Sequence, residues 1–201
     1  MKSIDKYSFY GNNIFSIKLN NKKINIDNIL NELFLHKSHY LYSHFICKRW
    51  ENIYLQPNLV PSVLPILSES LAIAKNIYEE SFIIPHELFG FSFNEYWFNI
   101  ANPGESTGVH NHKKKSKVSG VFYLQIPKNS GNLNFKSERS EIFELKPKTG
   151  KLVLFPSKLN HFVTKNKSDE QRISLAFNCF TYPFKDDIVI SGYEKNNFFP
   201  M

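Results

Sequence analysis

Cysteine is nearly absent from this chain, with two residues, Cys47 and Cys179, in 201. They sit in different halves and show no metal-ligand spacing, so they read as free thiols of a reducing compartment rather than a disulfide framework. Long apolar runs are also missing. No stretch approaches the roughly 20 residues that cross a bilayer, and the polar opening MKSIDKYS is not a secretory leader. The expected location is therefore the cytoplasm, without a membrane partner. No internal repeat is found, which excludes a solenoid. No interleaving of basic and aromatic residues forms a nucleic-acid platform.

Aromatic residues, by contrast, are plentiful, with 19 Phe and 10 Tyr. Charges of both signs are mixed along most of the chain, which argues for a folded protein. Its length is enough to bury a full core, and one domain over 1–201 is expected. The net charge of +7 permits an acidic partner without requiring one. Oligomeric state leaves no signal.

The N-terminal part, residues 1–90, reads as strands and helices that pack on a core. Short strands are expected around Gly11-Asn12-Asn13. A helix is expected over Ile26–Phe34, where Ile26, Ile29, Leu30 and Leu33 recur at helical spacing and Asp27 suits the start. His36, His39 and His44 follow in a Tyr-rich segment of surface character, without a Cys or carboxylate to complete a metal site. After the break at Pro57–Pro61, Ser62 is placed to cap a long helix running to about Phe82, with Pro65 tolerated in its first turn.

From Phe91 the pattern changes to short strands, among them Val118–Ile126, Leu133–Phe135, Ile142–Leu145, Leu152–Phe155, His161–Thr164 and Arg172–Phe180. Turn residues at Pro127 to Gly131, Pro147 to Gly150 and Pro156 separate them, which makes residues 91–182 mainly β, a sandwich or barrel with flanking helices. The run Leu152–Phe177 is the most informative. It contains an apolar strand, a turn at Pro156, a strand opening at His161, a polar Asn166–Asp169 link read as a hairpin, and a strand opening at Arg172. From Arg172 the alternation is clean: Arg172, Ser174, Ala176 and Asn178 share one face, Ile173, Leu175 and Phe177 the other. An arginine that enters an interior requires an anion. These strands supply no acidic residue, so a bound carboxylate is the natural candidate.

Upstream lie His110-Asn111-His112 and the strand SGVFYLQIP. Together, WFNI, HNH, SGVFYLQIP, SGNLNF, TGKLVLFPS, LNH and QRISLAFN, in this order over about Phe93–Phe180, resemble the iron(II)/2-oxoglutarate-dependent dioxygenases related to prolyl 4-hydroxylase. The resemblance implies a double-stranded β-helix, or jelly roll, and an enzyme that uses Fe(II) and 2-oxoglutarate to hydroxylate a substrate. It places His110 and His161 at the two histidine positions of the metal site. The position between them, Asp or Glu in the family, is His112 here. Three neutral imidazoles are chemically adequate for iron, but they leave out one negative charge. A carboxylate from Glu105 is a further option.

The resemblance also places Arg172 and Ser174 at the anchor for the distal carboxylate of 2-oxoglutarate, where a guanidinium fork and a hydroxyl suit that group. Tyr123, Asn99 and Asn178 match polar positions of the same pocket; Trp97 and Phe155 read as core, and Gly120 and Gly131 as backbone devices. Lys113-Lys114-Lys115 and Lys117, next to the histidine pair, read either as a solvated loop or as the flank of a site for an acidic substrate. The His112 departure keeps two other readings open. One is a non-catalytic jelly-roll binding module with a degenerate metal site. The other is a cupin-like three-histidine metalloenzyme without 2-oxoglutarate.

Overall fold

The computed structural model describes residues 4–46, 49–113, 116–184 and 199–200; Cys47, Lys114 and Lys115 lie outside them. In chain order the elements are β1 (Ile4–Phe9), β2 (Asn12–Lys18), α1 (Ile26–Leu35), β3 (Leu41–Ile46), β4 (Arg49–Tyr54), α2 (Leu64–Tyr78), β5 (Phe82–Ile83) and β6 (Tyr96–Ala101). They continue with β7 (Thr107–His110), β8 (Val118–Gln125), β9 (Leu133–Lys136), β10 (Ile142–Leu145), β11 (Lys151–Pro156), β12 (Asn160–Val163), β13 (Arg172–Thr181) and β14 (Phe199–Pro200). Pairing is antiparallel throughout the major sheet, ordered β1-β2-β11-β8-β13-β6-β4-β3-β14 with β5 beside β13, and the minor sheet, ordered β10-β9-β12-β7.

Two apolar clusters divide the interior. One lies between the major sheet and the helices: Ile29 and Leu33 of α1 and Ile66, Leu67 and Ala74 of α2 join Ile17, Phe122, Leu154 and Leu175. The other lies between the sheets, where Phe135 and Leu145 meet Ile14, Tyr123, Val153 and Phe155. β2, β8 and β11 feed both clusters by alternation, whereas β13 feeds only the first. On β13, Ile173, Leu175 and Phe177 are fully buried on the helix side. Burying each contributes about 1.5–3 kcal/mol. A one-residue slip would exchange them for Arg172 and Ser174, so the register is pinned. Where β13 crosses β8, Phe177 lies opposite Gly120, and a Cβ there would stand 2.3 Å from the Phe177 ring.

Four sequence expectations are corrected. First, the strand of His161 and the strand of Arg172 do not form a hairpin: β12 pairs with β7 and β9, β13 with β6 and β8. The link between them crosses from the minor to the major sheet. Buried Asn166 holds it, donating to the carbonyls of Ala101 (3.0 Å) and Glu170 (2.8 Å) and accepting from the Ser168 N–H and hydroxyl. Second, Ser62 does not cap α2. It donates its N–H and hydroxyl to the Glu32 carboxylate of α1, at 3.0 and 2.6 Å, and a 3-10 turn at Pro61–Val63 leads into the helix. Third, α2 stops at Tyr78, where Glu79 turns left-handed (φ 56°), because Phe82 and Ile83 pair with Thr181 and Phe180 instead. Fourth, the Tyr-rich segment around His44, read from the sequence as surface or loop, is exposed at His44 but forms the β3–β4 hairpin, which widens the major sheet beside β6.

α1 follows its sequence signals closely: Asn25 caps it by accepting the Asn28 N–H at 3.1 Å, and Asp27 lies in its first turn. Cys179 is wholly buried and unpaired, and burial pushes its thiol up. Among the described residues, no helix is long and apolar enough to cross a membrane.

Candidate metal centre

His110 ends β7 and faces His161 of β12 as its direct cross-strand partner. Their ring centroids are 4.3 Å apart, and His112 stands 5.1 and 5.4 Å from them. One ring nitrogen from each of the three lies within 4.8 Å of the others, and no other such cluster occurs among the described residues. Neighbouring imidazole nitrogens on one ion stand about 3.0–3.4 Å apart, so the rings would draw together by up to about 1.5 Å to share one. No Asp or Glu belongs to it.

Backbone carbonyls select the tautomers. His110 Nδ1 is 2.9 Å from the Gly108 carbonyl and His161 Nδ1 is 3.0 Å from that of Leu159. A carbonyl only accepts, so both Nδ1 atoms carry the proton and both Nε2 lone pairs are free for a cation. Burial, followed by the charge of His110, pushes His161 down to about 3, despite the Leu159 hydrogen bond pulling it up. It is therefore a neutral ligand at any ordinary pH. His112 is placed by its backbone, its N–H donating to Ser157 at 2.8 Å and its carbonyl accepting from Ser116. Ser157 in turn joins a buried chain of hydroxyls and amides through Ser119 to Asn178.

The cavity that holds the histidines extends to the polar face of β13. There Arg172 is 4% exposed. Its Nη1 donates to the carbonyls of Ser130 (2.7 Å) and Thr164 (3.2 Å), and among the described residues it has no carboxylate partner. Burial, then Arg49, lowers its pKa to about 10, with Tyr123 and Glu105 opposing, so it stays a cation at neutral pH. Tyr123 stands opposite Ser174 across the β8–β13 register. The Tyr123 hydroxyl is buried and has no hydrogen-bond partner among the described residues. An unsatisfied buried group costs about 1–3 kcal/mol. A buried cation without an anion beside an unused hydroxyl is a cradle that a carboxylate fits. Gly131 permits the cradle: at φ +95° its missing Cβ would fall 2.2 Å from the Thr164 carbonyl oxygen and 2.7 Å from Arg172 Nη1.

Other residues singled out in the sequence fall as follows. Asn99 and Asn178 line the cavity, but their amides are committed within the protein. Asn99 donates to the Glu51 carbonyl and to Asn52; Asn178 donates to Glu95 and accepts from Ser119. Trp97 and Phe155 wall the metal end, with rings 5.7 Å from His112 and 4.8 Å from His161. Glu105 is not at the metal cluster; it pairs with Arg49 at 3.2 Å and caps the Asn102 turn. Lys113 is exposed and Lys117 pairs with Glu80. Glu51 was not anticipated. It lies on β4, 4% exposed, lines the cavity and accepts the Gly108 N–H at 3.3 Å. No motif surrounds it in WENIY, and its place depends on β4 joining the sheet.

Residues 95–144 and 136–178 match the model of a family described as "Putative 2OG-Fe(II) oxygenase". No curated protein matches the chain. Among solved structures, similar folds include SnoK, a non-heme alpha-ketoglutarate-dependent carbocyclase from nogalamycin biosynthesis (TM-score 0.64, 11% identity, 83% of this chain and 78% of that one). AviO1 from Streptomyces viridochromogenes is also similar (TM-score 0.60, 11% identity, 84% and 88%). So is a prolyl hydroxylase from Trichoplax adhaerens, solved with a hypoxia-inducible-factor peptide (TM-score 0.59, 14% identity, 83% and 83%). At these identities the likeness concerns the fold, a double-stranded β-helix. Residues 95–178 thus match the 2OG-Fe(II) oxygenase model, and the chain shares the double-stranded β-helix of these solved structures.

Proposed function

We propose that the protein is a hydroxylase of this family, holding Fe(II) on His110, His112 and His161 and the distal carboxylate of 2-oxoglutarate on Arg172, Ser174 and Tyr123. The observation that carries the reading is Arg172: a buried cation with no carboxylate among the described residues, in the same cavity as three clustered imidazoles. The likeness to prolyl 4-hydroxylase-related sequences supports hydroxylation as the outcome.

When bound, the iron and its cosubstrate would let O2, the oxidant, decarboxylate 2-oxoglutarate to succinate and CO2 and so supply the oxidising power for an unactivated C–H bond. The chain's own residues hold and orient. Carbonyl hydrogen bonds keep His110 and His161 as Nε2 ligands. Guanidinium and two hydroxyls fix one end of the cosubstrate. Trp97 and Phe155 exclude water from the reacting end. With three neutral imidazoles, a divalent ion and a dianionic cosubstrate sum to zero charge, where a carboxylate ligand would leave one net negative. That weakens the hold on the ion and strengthens it on the anion.

The test is an anaerobic titration of metal-free protein with Fe(II) and 2-oxoglutarate, followed by the visible charge-transfer band of the chelate. The band is expected in wild type. Arg172→Ala should weaken 2-oxoglutarate binding at least 100-fold, since truncating a buried charge pair costs about 3–5 kcal/mol. Absence of both the band and any heat of binding would leave the jelly-roll binding module. Metal binding without 2-oxoglutarate binding would favour the cupin-like enzyme, for which His112 in place of a carboxylate speaks.

A further inference from the structure

Two buried charges of opposite sign face the cavity, and the proposed cosubstrate answers only one. Arg172 lies at the cosubstrate end; Glu51 lies on the wall made by the N-terminal β3–β4 hairpin. Glu51 is as buried as Arg172, each 4% exposed. Its carboxylate accepts one hydrogen bond among the described residues, from the Gly108 N–H at 3.3 Å, and forms no ion pair there. Arg49, its neighbour two positions along β4, gives its Nη1 to Glu105 and to the Ile100 carbonyl instead. Glu51 stands outside the histidine cluster. Next to it, Asn52 and Asn99 add amide groups, and Trp97 lines the same cavity.

We infer that Glu51 is the substrate-recognition carboxylate of this cavity, and that the substrate presents a cationic nitrogen, an ammonium or guanidinium group, to it. The inference rests on the oxygenase reading for its chemistry. A carboxylate held away from water with a single N–H donor favours a cation that brings further hydrogen-bond donors. The indole of Trp97 offers such a cation a second favourable surface. Among the described residues, Glu51 lines this cavity and Lys113, on the exposed flank, does not. β4 lies outside the stretch that carries the family match, residues 95–178. Specificity would thus reside outside the stretch that carries the family match.

The probes are butylammonium, butylguanidinium, 1-butanol and butyrate. Each is titrated into the metal-free protein and into the protein loaded with Fe(II) and 2-oxoglutarate, with tryptophan fluorescence as the readout. Both cations are expected to bind at least tenfold more tightly than butanol, with butyrate weakest. Glu51→Gln, which keeps an acceptor for Gly108, should erase the preference and leave the iron–2-oxoglutarate band unchanged. Glu51→Asp should retain most of it. Equal binding of cation and alcohol in a folded wild type would overturn the inference. So would loss of Fe(II) binding in Glu51→Gln, which would make Glu51 a metal ligand. If the band is absent but the cation preference holds in the metal-free protein, the oxygenase reading fails and cation recognition stands.

Discussion

Gly131 and Arg172 approach so closely that a methyl group on Gly131 would sit 2.7 Å from the guanidinium Nη1. The same methyl would strike the Thr164 carbonyl, and the backbone there is left-handed at φ +95°. Gly131→Ala is therefore expected to destabilise the fold by about 2–4 kcal/mol and to weaken 2-oxoglutarate binding at least tenfold by displacing the arginine. Chemical denaturation and the chelate titration check the two effects. Wild-type values in both would refute the close approach.

Tyr123 gives a prediction with opposite signs for stability and binding. Its hydroxyl is buried and has no hydrogen-bond partner among the described residues of the unliganded protein. Tyr123→Phe should leave the unliganded fold as stable as wild type, or more stable by about 1 kcal/mol. If the hydroxyl meets the cosubstrate carboxylate, the same change should weaken 2-oxoglutarate about tenfold or more. A stability loss without a binding loss would make Tyr123 a core residue only.

By the resemblance of HNH to the family motif, His112 takes the position of a carboxylate. If it is the third ligand, His112→Ala should lower Fe(II) affinity at least tenfold. His112→Asp should restore tight Fe(II) binding while weakening 2-oxoglutarate, because it returns a negative charge to the site. Isothermal titration with each component separates the two effects. Unchanged Fe(II) affinity in His112→Ala would leave only two protein ligands.

His161 should make the unliganded protein acid-sensitive. Its folded pKa, about 3, lies below its ordinary value near 6.5. The unfolded chain therefore takes up this proton first. The stabilisation from keeping the ring neutral is complete above about pH 6.5 and is lost as the pH falls towards 3. Between those limits wild type should lose up to about 1.4 kcal/mol per pH unit more than His161→Gln. Urea unfolding at pH 7, 5.5 and 4.5 checks this; parallel curves would contradict it.

Much of the β core was legible in the chain. The strands from Val118 onward begin and end within a residue or two of expectation, because period-two alternation and the turns at Pro127, Gly131, Gly150 and Pro156 are local signals. His110, His112, His161, Arg172, Ser174 and Tyr123 were singled out, and the structure brings all six to one cavity. Glu51 was not, because WENIY carries no motif and β3–β4 lacks a clean alternation. The Ser62 cap was misread for a related reason: the Glu32 carboxylate that takes its hydroxyl is 30 residues away in the sequence and adjacent only in the fold.

What the sequence determined by itself is the assignment of faces. On β13 the alternation commits Ile173, Leu175 and Phe177 to one side and Arg172 and Ser174 to the other, whatever the strand's neighbours. What only the tertiary structure decided is which strands are neighbours. It placed His161 on the minor sheet facing Arg172 across the interior, and it brought Glu51 of the N-terminal hairpin to the same cavity. Side-chain alternation is imposed by each strand's own backbone. Strand pairing is settled by burial and hydrogen bonding between segments distant in the chain, which no local pattern encodes.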